Sequence, residues 1–501
     1  MTAAAASSFR QRDWVAALTL CLVVSALRLL WPGDTQWIND EPLFLTKAAA
    51  MNAGQSSVGS GLLGTVGLTY GPVAVWIFAA LLRLSSDLMH VVLMRTALWC
   101  VTSSIALLWL ARLSTRLRPL FLCLVLLSPY TWLYSRHLWD NTWLMPLGAL
   151  ALAGYVAFHQ AQATWKLAVA VLAMALAVLI HPMVLPLGIV LFVHLLRFHG
   201  TWLRTHPKVV VALCVACLLL AAPWLWFLAQ QLLAKKAVLP PLPPPPLLPP
   251  AEAPVPFWRS LIFPFLGGLQ LTGLGLDYFL GVDFWQHPAW VQPLMLVTAA
   301  AQLLVWLGMW LAAKEVRAGL RTPNQQGLEF HLALLCVATF CVQWCMQVIV
   351  RRHTHPHYYN GTWICYVYFF SLALSSKLAS TWQRAARAVV ATVLALSLAA
   401  VTTAMALQLH QQGGTTGLHF GATLQNQLQV ARTLGRYHPD SPIRIEVKNY
   451  LMFPHALPML RALTHSTGDP NAPLRTLQVR YQDPSGRTGW IKVDEAPTAQ
   501  P

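Results

Sequence analysis

The chain has 501 residues, of which 56% are hydrophobic and only 10% are charged, and its mean hydropathy is +0.54. A soluble globular protein carries about 25% charged residues, so this composition excludes an ordinary soluble protein and predicts a polytopic helical membrane protein. The net charge of +17 does not indicate a nucleic-acid partner. The basic residues cluster in short loops between apolar runs, where they orient the chain and meet anionic lipid of the bilayer.

Apolar runs recur along the chain at the length of membrane-spanning helices. The run at 71–84 is the shortest, and about 14 helical residues cover roughly 21 Å, less than the ~30 Å hydrocarbon core. We therefore predict that 71–84 is a helix lying along the membrane surface. Without it, the arginine and lysine clusters of the inter-span loops fall on the cytoplasmic side, as the positive-inside tendency requires. The eleven remaining runs, predicted as spans, are 14–31, 90–111, 119–135, 141–158, 166–181, 183–196, 209–230, 290–313, 330–350, 361–375 and 388–407.

Three regions are external in this topology. Residues 34–88 form the first external loop, and 231–289 contain LPPLPPPPLLPPAEAPVP, a polyproline II stretch that is either a surface linker or a lid over an active site. The polar tail alternates helix and strand patterns. In order these are LQNQLQVARTLGRYH (helix), PIRIEVKNY (strand), FPHALPMLRALTH (helix), and LRTLQVRYQ and TGWIKVDE (strands). The sequence thus predicts an all-α transmembrane domain over 1–408 and a small external α/β domain over 409–501.

The stretch WINDEPLFLTKAAAMNAGQ follows the first span and contains Asp40 and Glu41, in a chain with only 17 acidic residues. Pro42 suits a first helical turn with Glu41 at or near the N-cap, and Gly54 is a natural helix end. Acidic side chains are favoured at a helix N-terminus by roughly 0.3–1 kcal/mol. Capping accounts for one carboxylate but not for two adjacent ones, so we expect a catalytic role at this pair.

Further polar residues gather on the same predicted side. The segment RRHTHPHYYN is basic although external, and an anionic ligand at the outer leaflet would account for that exception to the positive-inside tendency. Structural explanations remain open for several of these residues. Arg136 could extend from the end of a span to the interface, His181 could be a hydrogen-bonded interfacial histidine, and Tyr358 and Tyr359 could belong to the aromatic belt of the membrane interface. The predicted substrate-binding residues are Arg136 and Asp140 of YSRHLWDN, His181 of LIHPMVLP, and Arg351, Arg352, His355, His357, Tyr358 and Tyr359.

These segments, in this order, resemble the GT-C glycosyltransferases that use polyprenyl-phosphate sugars. That superfamily includes the protein O-mannosyltransferases and the bacterial aminoarabinose transferases of lipid A. The acidic pair resembles their first-loop signature, TYGPV their G-P or K-P-P motif, YSRHLWDN their S-R-x-x-x-D segment, and HPHYY their H-x-Y motif. The resemblance extends over residues 10–380. The lysine of K-P-P is replaced here by Tyr70, so Arg351, Arg352 or Lys47 would have to supply the cation.

The resemblance implies a GT-C-like fold in a bacterial cytoplasmic membrane, with the active site facing the periplasm. It also implies an inverting, mannosyltransferase-like transfer of a sugar from an undecaprenyl-phosphate-type donor to a lipid, glycan or protein acceptor. Asp40 would be the general base or would position the acceptor. A polyprenyl phosphate is a good leaving group, so one carboxylate and a set of cations suffice, in contrast to the two carboxylates of glycosidases. Of the D-x-D-type motif of metal-dependent relatives only Asp140 is present, so we expect no cofactor, and a divalent metal stays open as the alternative.

Two other classes of protein remain open from the sequence. A transporter or flippase of lipid-linked sugars would show paired broken helices or internal repeats, and no repeat is evident. A membrane scaffold that displays the C-terminal domain would need no cluster of external acids and bases. Loss of activity without loss of folding in Asp40→Asn would separate the enzyme from both.

Overall fold

The computed structural model describes residues 3–37, 40–55, 59–63, 69–236, 256–271, 287–322, 324, 326–350, 356–375, 381–415, 420–437, 443–447, 475–481 and 491–495. Its architecture is the predicted one, a helical membrane part followed by a segment with one helix and a three-stranded sheet. The first helices are α1 (Ala3–Arg28), α2 (Asp40–Asn52), α3 (Val73–Leu84), α4 (Leu88–Leu113), α5 (Pro119–Cys123), α6 (Pro129–Arg136), α7 (Leu144–Ala161), α8 (Thr164–Ile180) and α9 (Leu185–Thr205). They continue with α10 (Pro207–Lys236), α11 (Phe257–Ile262), α12 (Val291–Ala299), α13 (Ala301–Arg321), α14 (Leu328–Val350), α15 (Trp363–Ser375), α16 (Thr381–Gln412) and α17 (Leu424–Tyr437).

Seven segments of the described chain are helical, long and apolar enough to cross a membrane. They coincide with seven of the eleven predicted spans, and they are Leu88–Leu113, Asn141–Ala161, Pro182–Thr205, Pro207–Leu233, Val291–Arg321, Leu328–Ile349 and Ala385–Gln412. Three other predicted spans, 14–31, 166–181 and 361–375, fall largely on α1, α8 and α15. The bundle is built around α7 and α15, which are buried along nearly their whole length, whereas the span of α10 has no buried residue and lies at the periphery.

The predicted span at 119–135 is wrong as a single helix. A 3-10 turn follows α5, and Ser128 is extended (φ −62°, ψ 137°) before α6 begins at Pro129. Proline lacks an N–H and disfavours helical backbone at the residue before it, and the Ser128 hydroxyl accepts a hydrogen bond from Tyr130 N at 3.2 Å. The break frees the carbonyl of Leu126, which accepts from the buried guanidinium of Arg28.

Residues 34–88, the predicted first external loop, contain the two helices that the sequence predicts. α2 begins at Asp40 and ends shortly before Gly54, which has a positive φ of 70°. The predicted short helix is α3, which packs on α2 through Phe44 and Phe78, with ring centroids 6.0 Å apart. The two helices form a small apolar cluster separate from the main core, and Leu424 of α17 belongs to it.

The C-terminal segment docks on the start of this loop. The backbone N–H of Leu424 donates to Thr35 O at 2.9 Å, and the amide Nε2 of Gln427 donates to Trp37 O at 2.5 Å. Beyond α17, β1 (Ile443–Val447) pairs in parallel with β2 (Arg475–Tyr481), which pairs antiparallel with β3 (Ile491–Glu495). The predicted helix and three strands are therefore confirmed, and the predicted helix in FPHALPMLRALTH lies outside the described residues.

Candidate active site

The structure brings together two carboxylates that are far apart in the sequence. Asp40 is half-buried in the first turn of α2, and beside it Glu41 is fully buried (0% exposed). Asp140 is buried ahead of the 3-10 turn Asn141–Trp143, and its Oδ1 accepts from Asn141 N at 2.6 Å. Asp40 and Asp140 lie close enough for their charges to interact.

Burial changes the protonation of this pair. It raises the pKa of Asp40 to about 6. Burial, and after it the charge of Asp40, raises the pKa of Asp140 to about 8, although the Asn141 N–H stabilises its ionised form. At pH 7 the pair therefore carries one negative charge, on Asp40, while Asp140 is protonated. A carboxylate with a pKa slightly below the working pH is well suited to accept a proton.

Tyr70 stands in the middle of the predicted site residues. Its ring centroid is 4.1 Å from that of His181. Burial, and then the charges of Asp140, Tyr358 and Asp40, raise the pKa of the Tyr70 phenol. The phenol is therefore a neutral hydroxyl within range of the charges of both carboxylates. The sequence places Tyr70 within the TYGPV motif but assigns it no role of its own.

The backbone around Tyr70 is fixed from two sides. Tyr70 N donates to Leu62 O at 3.0 Å, and Gly61 N donates to Tyr70 O at 2.9 Å. Gly71 lies directly against the end of α8, so that a Cβ at this position would stand 2.3 Å from Leu179 O. The glycine of TYGPV is thus required for close packing, and this packing holds Tyr70 beside His181.

Lys47 supplies a cation at the edge of this site. It lies two turns after Asp40 in α2, hence on the same face of the helix. Its Nζ donates to Gly61 O at 2.7 Å, which places it against the segment that pairs with Tyr70. Burial lowers the pKa of the Lys47 ammonium, and an anionic ligand would offset that cost of burial.

His181 and the HPHYY segment flank the carboxylates. His181 is a buried cap between α8 and the turn Pro182–Val184, its Nδ1 accepts from Met183 N at 3.2 Å, and burial lowers its pKa to about 3, so the ring is neutral. His357 and Tyr358 are half-buried, with ring centroids 4.6 Å apart, and His357 lies 5.4 Å from the Trp139 ring.

The end of HPHYYN contacts the YSRHLWDN segment directly. The amide of Asn360 donates to Asn141 Oδ1 at 3.4 Å, which joins the two motifs next to Asp140. Tyr359 is buried and donates to Gln347 Oε1 of α14 at 3.2 Å, so its hydroxyl serves packing between helices. Arg351, Arg352 and His355 lie outside the described residues, and their predicted contacts with substrate stay predictions.

Arg136 is placed differently from the other predicted site residues. It is buried, its Nη2 donates to Trp31 O, and its guanidinium lies 4.5 Å from the centroid of Trp132. The backbone carbonyl of Arg136 accepts from the Thr35 hydroxyl at 3.0 Å. These contacts hold the entry to the first external loop, and the predicted contact of Arg136 with a donor phosphate stays a prediction.

A second buried arginine, which the sequence reasoning missed, positions the loop that carries Asp140. Arg95 of α4 is 0% exposed, and its guanidinium donates to the carbonyls of Tyr134 and Ser135 and to the hydroxyl of Thr142. It thereby ties the end of α6 to the start of the next span. The signal was an arginine inside an otherwise apolar run, where an ionisable residue is costly and usually has a specific role.

No family model matches the chain, and no curated protein matches it. Solved structures do. The crystal structure of ArnT from Cupriavidus metallidurans in the apo state aligns over 93% of this chain and 93% of its own, at 15% identity and a TM-score of 0.55. The structure of ArnT from the same organism bound to undecaprenyl phosphate aligns over 94% and 93%, at 15% identity and a TM-score of 0.49. The chain therefore shares the fold of ArnT, a GT-C lipid A aminoarabinose transferase, which confirms at the level of fold the resemblance drawn from the sequence.

Proposed function

We propose that the protein is an inverting membrane glycosyltransferase that takes a sugar from a polyprenyl-phosphate donor. The observation that carries the proposal is the convergence of Asp40 and Asp140 around Tyr70, with Asp40 poised to accept a proton near neutral pH. The ArnT-like fold supports it, because the chain aligns over nearly its whole length. We place the enzyme in a bacterial inner membrane with this site toward the periplasm, on the basis of the positive-inside pattern of its loops.

The reaction needs one base and a stabilised leaving group. The acceptor hydroxyl oxygen attacks the anomeric carbon on the face opposite the phosphate, and the bond between that carbon and the phosphate oxygen breaks. Its electron pair leaves with the polyprenyl phosphate, and the hydroxyl proton passes to the carboxylate of Asp40. Inversion follows from this single displacement. The phosphate needs no proton to leave, so a general acid is not required.

The neighbouring groups have distinct roles in this scheme. Asp140 is protonated at pH 7, so it donates a hydrogen bond to a sugar or acceptor oxygen and leaves the negative charge on Asp40. The neutral phenol of Tyr70 offers a second donor beside it. Lys47 takes the place of the lysine of K-P-P and neutralises the departing phosphate, together with the predicted Arg351 and Arg352.

The broken segment at Ser128 bears on the alternative of a flippase. Transporters carry paired broken helices whose free backbone groups line a substrate cavity. Here the carbonyl of Leu126 at the break is bonded by Arg28, and Arg28 also donates to Thr131 Oγ1 at 2.7 Å. The backbone carbonyl at the break is therefore already hydrogen-bonded by a buried side chain, which favours a fixed catalytic scaffold over a transporter.

The test uses the purified full-length protein in lipid nanodiscs with synthetic undecaprenyl-phosphate sugars, aminoarabinose and mannose donors being tried in parallel. Lipid A, glycan and peptide acceptors are offered separately, and products are identified by mass spectrometry. Asp40→Asn should lower the transfer rate by about 10²-fold or more, the usual scale for loss of a general base, while donor binding survives. Glu41→Gln should be milder, since an acidic side chain in the first turn of a helix contributes roughly 0.3–1 kcal/mol.

Asp87 provides the matched control, because it is an exposed carboxylate at the end of the same loop, where it caps α4 and lies 4.0 Å from His90. Asp87→Asn should transfer at the wild-type rate. Equal transfer by wild type and Asp40→Asn would remove Asp40 from the mechanism. Movement of labelled donor across the bilayer without a covalent product would establish the flippase instead.

A further inference from the structure

Four histidines that the proposed reaction does not use converge at the other end of the bundle. His159 is in the last turn of α7, His194 is near the middle of α9 and His199 follows it, and His331 is in the first turn of α14. One ring nitrogen from each of His159, His194 and His331 lies within 4.8 Å of the other two. Within the part of the chain that the structure describes, this is the place where three metal-ligating side chains meet.

The cluster is remote from the carboxylates. His159 follows Asp140 by nineteen residues, through the turn Asn141–Trp143 and α7, so a rise of about 1.5 Å per residue separates the two sites by roughly 28 Å. The histidines come from three helices that are apart in the sequence. A group bound among them would therefore join α7, α9 and α14 at one end.

The hydrogen bonds within the cluster leave one set of nitrogens facing inward. His194 Nε2 is 3.1 Å from His331 Nδ1, and His194 Nδ1 is 2.7 Å from the Tyr155 hydroxyl. His159 Nδ1 is 2.9 Å from His199 Nε2. Tyr155 and His199 thus occupy the outer nitrogens of two rings and fix their orientation, as outer hydrogen-bond partners do for metal-binding histidines.

The surroundings are aromatic and apolar. Phe198 lies 4.4 Å from His194 and 4.8 Å from His331, Phe330 lies 5.0 Å from His331, and Phe158 lies 4.9 Å from His199, between ring centroids. Imidazoles alone could satisfy one another there by N–H···N hydrogen bonds. That arrangement needs only pairs of rings, however, and it does not account for a nitrogen of a third ring within 4.8 Å of the other two.

We propose that His159, His194 and His331 bind one Zn²⁺ ion, with water in the fourth position and with Tyr155 and His199 orienting the ligands. The ligand atoms would be Nε2 of His159, Nε2 of His194 and Nδ1 of His331. Zinc takes neutral imidazole nitrogens at about 2.0–2.1 Å in a tetrahedron, which sets the nitrogens roughly 3.4 Å apart. His194 Nε2 and His331 Nδ1 are 3.1 Å apart, and the nitrogens of the three rings lie within 4.8 Å of one another. The rings would therefore have to move by about 1 Å to reach the tetrahedral geometry. The ion would act as a structural clamp between three spans.

The test measures metal directly and does not depend on transfer activity, so it can fail or succeed independently of the proposed glycosyltransferase. Protein carrying a non-histidine affinity tag is stripped with chelator, dialysed against Zn²⁺ and assayed by mass spectrometry of the metal. Wild type should retain about one equivalent and gain several degrees in Tm, because an ion that binds only the folded state stabilises it. Co²⁺ in its place should give the intense visible absorption of a tetrahedral site.

His194→Gln and His331→Gln should each lose the bound ion and the gain in Tm. His90→Gln should keep both, because His90 is exposed in α4, where its ring contacts Ser85 and Asp87. If the buried variants do not fold, the half-buried His159→Gln decides the question. Wild type that retains less than about 0.2 equivalents, or an ion that survives His159→Gln and His331→Gln together, would overturn the proposal and leave a network of hydrogen-bonded imidazoles.

Discussion

The protonation of the carboxylate pair predicts how the transfer rate should depend on pH. Burial raises the pKa of Asp40 to about 6. If ionised Asp40 is the base, kcat/KM should follow its ionised fraction, which is about 0.9 at pH 7 and about 0.1 at pH 5. The rate should therefore fall roughly tenfold between these pH values. An aspartate with the ordinary pKa of about 3.9 would remain more than nine-tenths ionised at pH 5, and the rate would hardly change.

The Asp140 carboxyl predicts a second limb, at high pH, in the dependence of the transfer rate on pH. Its pKa is raised to about 8, so above pH 8 it becomes a second negative charge next to Asp40 and stops donating a hydrogen bond. The wild-type rate should fall there. Asp140→Asn keeps the acceptor for the Asn141 N–H but cannot ionise, so the fall above pH 8 should disappear. The limb near pH 6 should stay, because Asp140 is already neutral when Asp40 titrates.

The assay is the initial rate of sugar transfer from pH 4.5 to 9.5 in nanodiscs of zwitterionic lipid. Anionic lipid would lower the pH at the membrane surface and shift both limbs. The donor phosphodiester does not titrate in this range. A lower limb near pH 4 would refute the burial of Asp40. If Asp140→Asn moved the lower limb by a full unit, Asp140 would have to be charged at pH 6, and it would then titrate before Asp40 and not after it. Asp87→Asn should move neither limb.

Two substitutions test the frame of the site. Lys47→Met should raise the KM for the donor by about 10- to 100-fold, since a hydrogen bond to a charged group contributes ~1.5–3 kcal/mol. Arg83 is exposed, so Arg83→Met should leave the KM unchanged in the same titration of donor. Gly71→Ala should destabilise the protein by about 1–3 kcal/mol because its Cβ would meet Leu179 O. Gly200→Ala, with nothing within 4 Å, should be neutral in the same thermal unfolding experiment, and equal melting of the two variants would contradict the packing argument.

Local patterns predicted the elements that depend on neighbouring residues. The start of α2 at the acidic pair and its end near Gly54 follow from capping and backbone preferences that act within a few residues. Hydropathy failed at Ser128 because it averages over a window, whereas a single proline sets the backbone there. The role of Arg95 could not be read, because its partners are carbonyls of another helix.

The assignment of Asp40, Asp140 and His181 to a site rests on motif order and stays a prediction. The fold adds that Tyr70 lies beside His181 and within range of the charges of Asp40 and Asp140, which the sequence alone could not indicate. The histidine cluster carries no motif spacing at all, since its members come from three helices. Their convergence depends on how far each helix is rotated about its axis, a property of packing and not of local sequence.

The docking of the C-terminal segment on the first external loop has a consequence for biosynthesis. Trp37, three residues before the acidic pair, is held by Gln427, which follows it by 390 residues in the chain. In the proposed topology, a ribosome that inserts spans in order releases Asp40 on the external side long before its neighbourhood can be completed. Because α17 is made after the predicted spans and contacts the segment just before Asp40, we expect a chain truncated after α16 to insert into the membrane and yet remain inactive. Activity would in this way report that synthesis has reached the tail.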